Sequence, residues 1–89
     1  MPRQIEALVA ALQAGDAAGA GSQAHIIKGA ASNVGGDALR AVAFEMEEAG
    51  RAGDLETVAA RLPEMEAQFV RLAEAMEREV NRGGPLLVL

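Results

Sequence analysis

The chain contains no cysteine, no tryptophan and no tyrosine, and a single histidine. Without cysteine there is neither a disulfide framework nor a zinc–thiolate site. One histidine with no cysteine beside it cannot assemble the usual imidazole and thiolate ligand sets for a transition metal. Aromatic residues amount to 2% of the sequence, Phe44 and Phe69 alone. Positive charge is also in short supply: 8 Lys and Arg face 13 Asp and Glu, for a net charge of −5. A nucleic-acid-binding surface needs a basic patch to neutralise phosphates, so no nucleic acid is expected as a partner. No apolar run approaches the roughly 20 residues of a membrane span, and the N-terminus carries no adequate signal pattern. Membrane insertion is not expected, and a cytoplasmic setting is the default expectation.

What remains is rich in small and aliphatic side chains. Hydrophobic residues make up 51% of 89 positions, drawn mainly from Ala, Leu, Val and Met. That content argues against disorder and suits close helix packing in one small domain. Ile5, Leu8, Val9 and Leu12 fall on one helical stripe and predict a helix over 2–14, with Pro2 in its tolerant first turn. Gly15-Asp16 reads as a helix stop followed by an N-cap. A second helix is predicted over 17–33, with Ala20, Ala24, Ile27, Ala31 and Val34 as its apolar stripe. Gly35-Gly36 breaks it, and Asp37 is placed as the cap of a third helix over 38–51, with Leu39, Val42, Ala43 and Met46 inward. Gly53-Asp54 repeats the first stop-and-start device.

A fourth helix is predicted over 55–81. Leu55, Val58, Leu62, Met65, Phe69, Leu72 and Met76 alternate spacings of three and four, the seam of a helix bundle. Pro63 interrupts this seam, so the helix either bends there or restarts there. The tail at 83–89, Gly-Gly-Pro-Leu-Leu-Val-Leu, is not helical by these rules. It is expected to fray unless its apolar end docks on the bundle. No segment shows the alternation of a half-buried strand. The expected fold is all-α, an antiparallel up-down-up-down four-helix bundle over 1–82, with 83–89 as a flexible appendage.

The histidine stands out against this frame. His25 lies two residues from the core position Ile27, so on a helix the two point to nearly opposite sides and His25 faces outward. The residues one and two turns away on its face are Gly21, Ser22, Lys28, Gly29 and Ser32. Each glycine inside a helix is unfavourable by about 0.5–1 kcal/mol relative to alanine. Two readings explain their presence: the missing side chains keep the imidazole open to an approaching group, or they let a neighbouring helix come close. Lys28 places a cation beside the ring. An exposed nucleophilic ring, cleared space and a nearby cation together suit a phosphoryl acceptor. A lone surface histidine one turn from a lysine is, on that pair alone, usually without function.

The run Ala24-His25-Ile26-Ile27-Lys28-Gly29-Ala30-Ala31-Ser32-Asn33-Val34-Gly35 carries more. It resembles the signature of histidine-containing phosphotransfer domains: His, two apolar or small residues, Lys-Gly, several small residues, then an aliphatic residue and Gly. The resemblance extends over about Leu8 to Met76, including the Glu-rich third helix. It implies a four-helix bundle that carries a phosphoryl group and has no kinase activity of its own. By position it makes His25 the phosphoacceptor through Nε2, Lys28 the charge-balancing lysine and Gly29 the residue that keeps the site open. The family often places a Glu or Gln on the next helix to bond the other ring nitrogen, and counting along the motif puts Glu47 there, with Glu48 or Glu45 in reserve. A carboxylate accepting from Nδ1–H would fix the tautomer that leaves Nε2 free.

The implied partner is the receiver domain of a response regulator, which would supply the aspartate and a bound Mg²⁺. The chain itself is expected to hold no cofactor, to bind no metal and to be a monomer. Ile26, Ala30 and Phe44 are candidates for apolar contact with that partner, with the core an equal alternative for Phe44. The sequence departs from many family members in its short lead before the histidine helix, which bears on the packing of the first helix and not on the chemistry. It suits a free-standing carrier or the end of a hybrid sensor kinase equally. Two rivals follow from the same residues. One is a bundle that only binds partners. The other is the dimerisation and phosphoacceptor domain of a histidine kinase, against which stand Ile26 where that family has an acidic residue and the lack of any proline between His25 and Pro63.

Overall fold

The computed structural model describes residues 3–81, and four helices account for nearly all of them. They are α1 (Arg3–Gln13), α2 (Ala17–Asn33), α3 (Asp37–Arg51) and α4 (Leu55–Asn81). Pro2 and the tail at 83–89 lie outside the described residues. The helices run alternately up and down, as short connections dictate.

The three turns are built alike. Gly15, Gly35 and Gly53 have φ of +72°, +71° and +74°, a left-handed conformation in which a Cβ is strained. Around each, two N–H groups fold back onto the last carbonyls of the preceding helix. Gly15 and Asp16 donate to Leu12 and Ala11, Gly35 and Gly36 to Ser32 and Ala31, and Gly53 and Asp54 to Gly50 and Ala49. This is the Schellman pattern. In the first and third turns the residue after the glycine also starts the next helix. Asp16 Oδ1 accepts from Gly19 N–H at 2.9 Å, and Asp54 Oδ1 accepts from Thr57 N–H at 3.1 Å.

The middle turn departs from expectation. Gly36, not Asp37, is the N-cap of α3, and it makes no side-chain cap; Asp37 is already the first helical residue. Gly36 keeps non-helical angles, φ −84° and ψ 68°, so the helix begins one residue after it. A Cβ on Gly36 would sit 2.9 Å from Leu72 Cδ2 on α4, so this corner is pressed against the long helix. Val34 also departs from its place in the apolar stripe. It is the C-cap of α2 and about half exposed, because the helix has ended before it can face the core.

The core joins Ile5 and Leu8 of α1, Ala20, Ala24, Ile27 and Ala31 of α2, Leu39, Val42, Ala43 and Met46 of α3, and Val58 and Met65 of α4. The inward face of α2 is mostly alanine, and this lets α3 approach closely. At the tightest point a Cβ on Gly50 would lie 2.6 Å from Gly21 Cα, so backbone meets backbone there. Pro63 neither ends nor restarts α4; the helix runs through it. Both Pro63 and Ala59, whose carbonyl loses its usual donor, are exposed, so water can take the freed acceptor. With 27 residues, α4 spans about 40 Å at 1.5 Å per residue and is far longer than its neighbours. Its seam is fully buried at Val58 and Met65, partly covered at Phe69 and Leu72, and half exposed by Met76.

Candidate functional site

The α2–α3 pair carries the site. His25, near the middle of α2, has a side chain 61% exposed, and the ring stands on the outer face of the bundle. Across from it on α3, 22 residues later in the chain, Glu47 is buried to 2% exposure. A buried carboxylate is unfavourable unless it is paired and hydrogen-bonded. Glu47 has three partners. His25 Nδ1 lies 2.8 Å from Oε2, Arg51 Nη2 donates to the same oxygen at 2.6 Å, and Lys28 Nζ sits 2.7 Å from Oε1. No other donor reaches Oε1 among the described residues. The lysine contact is the strongest influence holding the Glu47 carboxyl below its usual range. Burial opposes it, and the His25 hydrogen bond and the Arg51 charge add to it.

An ionised carboxylate can only accept, so the proton of a neutral His25 resides on Nδ1 and the lone pair on Nε2. The network thus holds one tautomer of an exposed imidazole. It also leaves two cations against one carboxylate beside that ring, on a chain whose net charge is −5. A local positive excess of this kind favours an incoming anion.

Helical spacing explains how the groups meet. Lys28 is one turn from His25 on α2, and Arg51 is one turn from Glu47 on α3. The Gly21–Gly50 crossing brings the two helices near enough for the Glu47 side chain to span the gap. The two glycines of the His25 face therefore divide between the two readings. Gly21 is buried and serves helix approach, whereas Gly29 is exposed and nothing lies within 4 Å of where its Cβ would be. Ser32 donates back to the Lys28 carbonyl at 3.1 Å. A concavity of about 620 Å³ adjoins the imidazole, walled by Gly21, Ser22, Glu47, Gly50 and Arg51.

The structure brings His25, Lys28 and Glu47 into direct contact and leaves Gly29 open beside them. Glu45 and Glu48 are exposed, and Glu45 pairs loosely with Arg61 of α4 at 3.6 Å. Phe44 is not in the core. It is half exposed, with Lys28 Nζ 5.3 Å from its ring centroid; Ile26 is exposed beside His25, whereas Ala30, also exposed, lines an apolar cleft with Ile27 and Val34. Arg51 is the residue that sequence reasoning missed. Its signal was available: a cation four residues after the expected carboxylate on the same helix. Among the described residues no three His, Cys, Asp or Glu side chains are placed to hold a metal ion.

The family model of the Hpt domain matches residues 1–82 of the chain. The chain belongs to the Hpt domain family. No curated protein and no solved structure matches it at a significant level. Hpt domains are helical bundles with a histidine phosphotransfer role in phosphorelays, and the four packed helices agree with that architecture. They are phosphocarrier modules rather than kinases, and they interact with the receiver domains of response regulators. The match sets aside the histidine-kinase dimerisation domain. No helix among the described residues is long and apolar enough to cross a membrane.

Proposed function

We propose that this Hpt domain carries its phosphoryl group on Nε2 of His25 and exchanges it with the aspartate of a receiver domain. The observation that supports this best is the 2.8 Å contact between His25 Nδ1 and the buried Glu47 carboxylate, at the one histidine of the sequence. The lone pair of Nε2 attacks phosphorus as the bond from phosphorus to the aspartate oxygen breaks, and the carboxylate leaves. The ring gains positive character as the N–P bond forms. Glu47 stabilises that change through Nδ1–H, which stays protonated throughout. In the reverse direction the N–P bond breaks and His25 leaves as the same neutral tautomer.

Lys28 and Arg51 lower the electrostatic cost of bringing a doubly negative group to this face. Gly29 leaves the approach clear, and the exposed apolar residues Ile26 and Phe44 suit a docking surface around the ring. The receiver supplies the aspartate and its Mg²⁺, while this chain contributes position, tautomer and charge.

Phosphoryl transfer from a panel of phosphorylated receiver domains tests the reading. The expected product is an acid-labile, base-stable label on the wild-type chain and none on His25→Gln, with the helical CD spectrum of the variant intact. A label retained by the variant would overturn the assignment. A folded chain that takes no label from any receiver would favour a bundle that only binds partners.

A further inference from the structure

Two cations touch Glu47, and they are not held alike. Lys28 is 22% exposed and Arg51 65%. Because α2 and α3 run in opposite directions, the two sit on opposite sides of the His25–Glu47 contact. Lys28 lies toward Phe44, its ammonium held between that ring, 5.3 Å from the centroid, and Glu47 Oε1. Arg51 lies toward Gly21 and Ser22. It is the one cation in the wall of the concavity of about 620 Å³ beside the imidazole, and Lys28 takes no part in that wall.

The two oxygens of Glu47 decide which cation is free to move. Oε1 has Lys28 as its single partner among the described residues, so turning Lys28 toward another anion would strip a buried carboxylate oxygen of its donor. Oε2 has two donors, His25 Nδ1 and Arg51 Nη2. Arg51 can therefore leave, and the carboxylate stays bonded at both oxygens. The guanidinium also has donors to spare. Among the described residues it makes one hydrogen bond, through Nη2, out of five N–H groups set in a fork that matches a phosphoryl group. Lys28 does more than any other group to hold the Glu47 carboxyl ionised, which ties it to that carboxylate.

We propose that Arg51, and not Lys28, is the cation that contacts the transferred phosphoryl group, and that Lys28 is a positioning residue that holds Glu47 against Nδ1 of His25. The assignment rests on the phosphoryl group being carried at Nε2, and it departs from what family resemblance implies for Lys28. Arg51 turns a hydrogen bond from Glu47 Oε2 to a phosphoryl oxygen. No covalent bond is made or broken beyond the N–P and P–O bonds of the transfer itself.

Transfer from a phosphorylated receiver at saturating concentration, read together with NMR of the full chain, separates the two roles. Arg51→Gln is expected to slow transfer at saturation by about tenfold, the effect of losing one charge-assisted hydrogen bond to the reacting group, while unphosphorylated His25 keeps its proton on Nδ1. Arg51→Lys keeps the charge without the fork and should recover only part of the rate. Lys28→Gln should act before any phosphoryl group arrives: the Glu47 ¹³C carboxyl signal titrates at higher pH than in the wild type, and the Nδ1–H tautomer loses population. Lys28→Arg should restore both readouts. In the wild-type chain phosphorylated by phosphoramidate, the guanidinium ¹⁵N signals of Arg51 should shift more than that of Lys28 Nζ, a comparison that requires no variant to fold. An Arg51→Gln chain that transfers at the wild-type rate, or a larger shift at Lys28 Nζ than at Arg51, would overturn the proposal and leave His25 as the carrier. A wild-type chain that takes no label on His25 would remove the phosphotransfer reading itself, and this assignment with it.

Discussion

Replacing Glu47 by glutamine changes one atom of the side chain and should disturb both stability and chemistry. Both oxygens of the wild-type carboxylate face donors: Lys28 Nζ at Oε1, and His25 Nδ1 with Arg51 Nη2 at Oε2. A glutamine amide has one oxygen, so its NH₂ must face a donor whichever way it turns. At least one charge-assisted hydrogen bond is lost, and such bonds contribute about 1.5–3 kcal/mol. The loss is softened because Arg51 is 65% exposed and can turn to water, while Lys28, only 22% exposed, is less free. A destabilisation of about 1–2 kcal/mol is expected, or a Tm lower by roughly 4–16 °C for a domain of this size.

The difference must depend on pH in one direction. The folded Glu47 carboxyl is held below its ordinary value of 4.5, first by Lys28 and then, against burial, by His25 and Arg51. Its contribution is therefore complete above the unfolded value and is lost as pH falls through the lower folded value. Urea unfolding followed by CD should show a constant gap between wild type and Glu47→Gln from pH 7 to about pH 5, closing at more acidic pH. A gap that persists unchanged at pH 3, or no gap at pH 7, would refute the assignment of Glu47 as an ionised, triply bonded carboxylate.

Other expectations follow from the same geometry. His25→Gln removes a largely exposed ring but also the Nδ1–H donor to the buried Glu47 carboxylate, so stability should fall by about 0.5–1.5 kcal/mol while phosphoryl uptake is abolished, checked by thermal melts and transfer assays. Gly50→Ala places a Cβ 2.6 Å from Gly21 Cα and must push α2 from α3; it should cost about 1–3 kcal/mol in denaturant unfolding despite the better helix propensity of alanine. Gly29→Ala meets open space and should instead raise stability by up to about 1 kcal/mol, while the added methyl beside His25 slows transfer from the receiver. The opposite signs of these two glycine substitutions can be read in one set of melts.

The helices were legible because their punctuation is chemical. Glycine followed by aspartate at 15–16 and 53–54 announces both the end of one helix and the cap of the next, and the seam predicts α4, although Pro63 leaves a bend or a restart open where the structure has one continuous helix. The middle turn was read one residue late. Two glycines in succession hide the division of labour between them: Gly35 takes the left-handed turn and Gly36 the cap. Val34 was misplaced for a related reason: an aliphatic residue in phase with a stripe says nothing about whether the helix lasts long enough to bury it. At the site, the outward direction of His25 and its Lys28 neighbour follow from helical spacing alone. Glu47 was reached through family resemblance, because a contact between α2 and α3 has no signature within either helix. Close helix approach is one of the two readings the sequence offers for Gly21, but its partner Gly50 and the role of Arg51 emerge only when the two helices are laid together.

The central claim is that Nε2 of His25 is the phosphoryl acceptor while Glu47 keeps the proton on Nδ1. Its most direct test is ¹⁵N NMR of histidine-labelled protein before and after phosphorylation by a phosphorylated receiver or a small phosphoryl donor. The account expects Nδ1 protonated in both states and phosphorus bonded to Nε2 in the second, with the Nδ1–H signal perturbed by Glu47→Ala. Phosphorus on Nδ1, or a free ring with Nε2 protonated and Nδ1 bare, would contradict it.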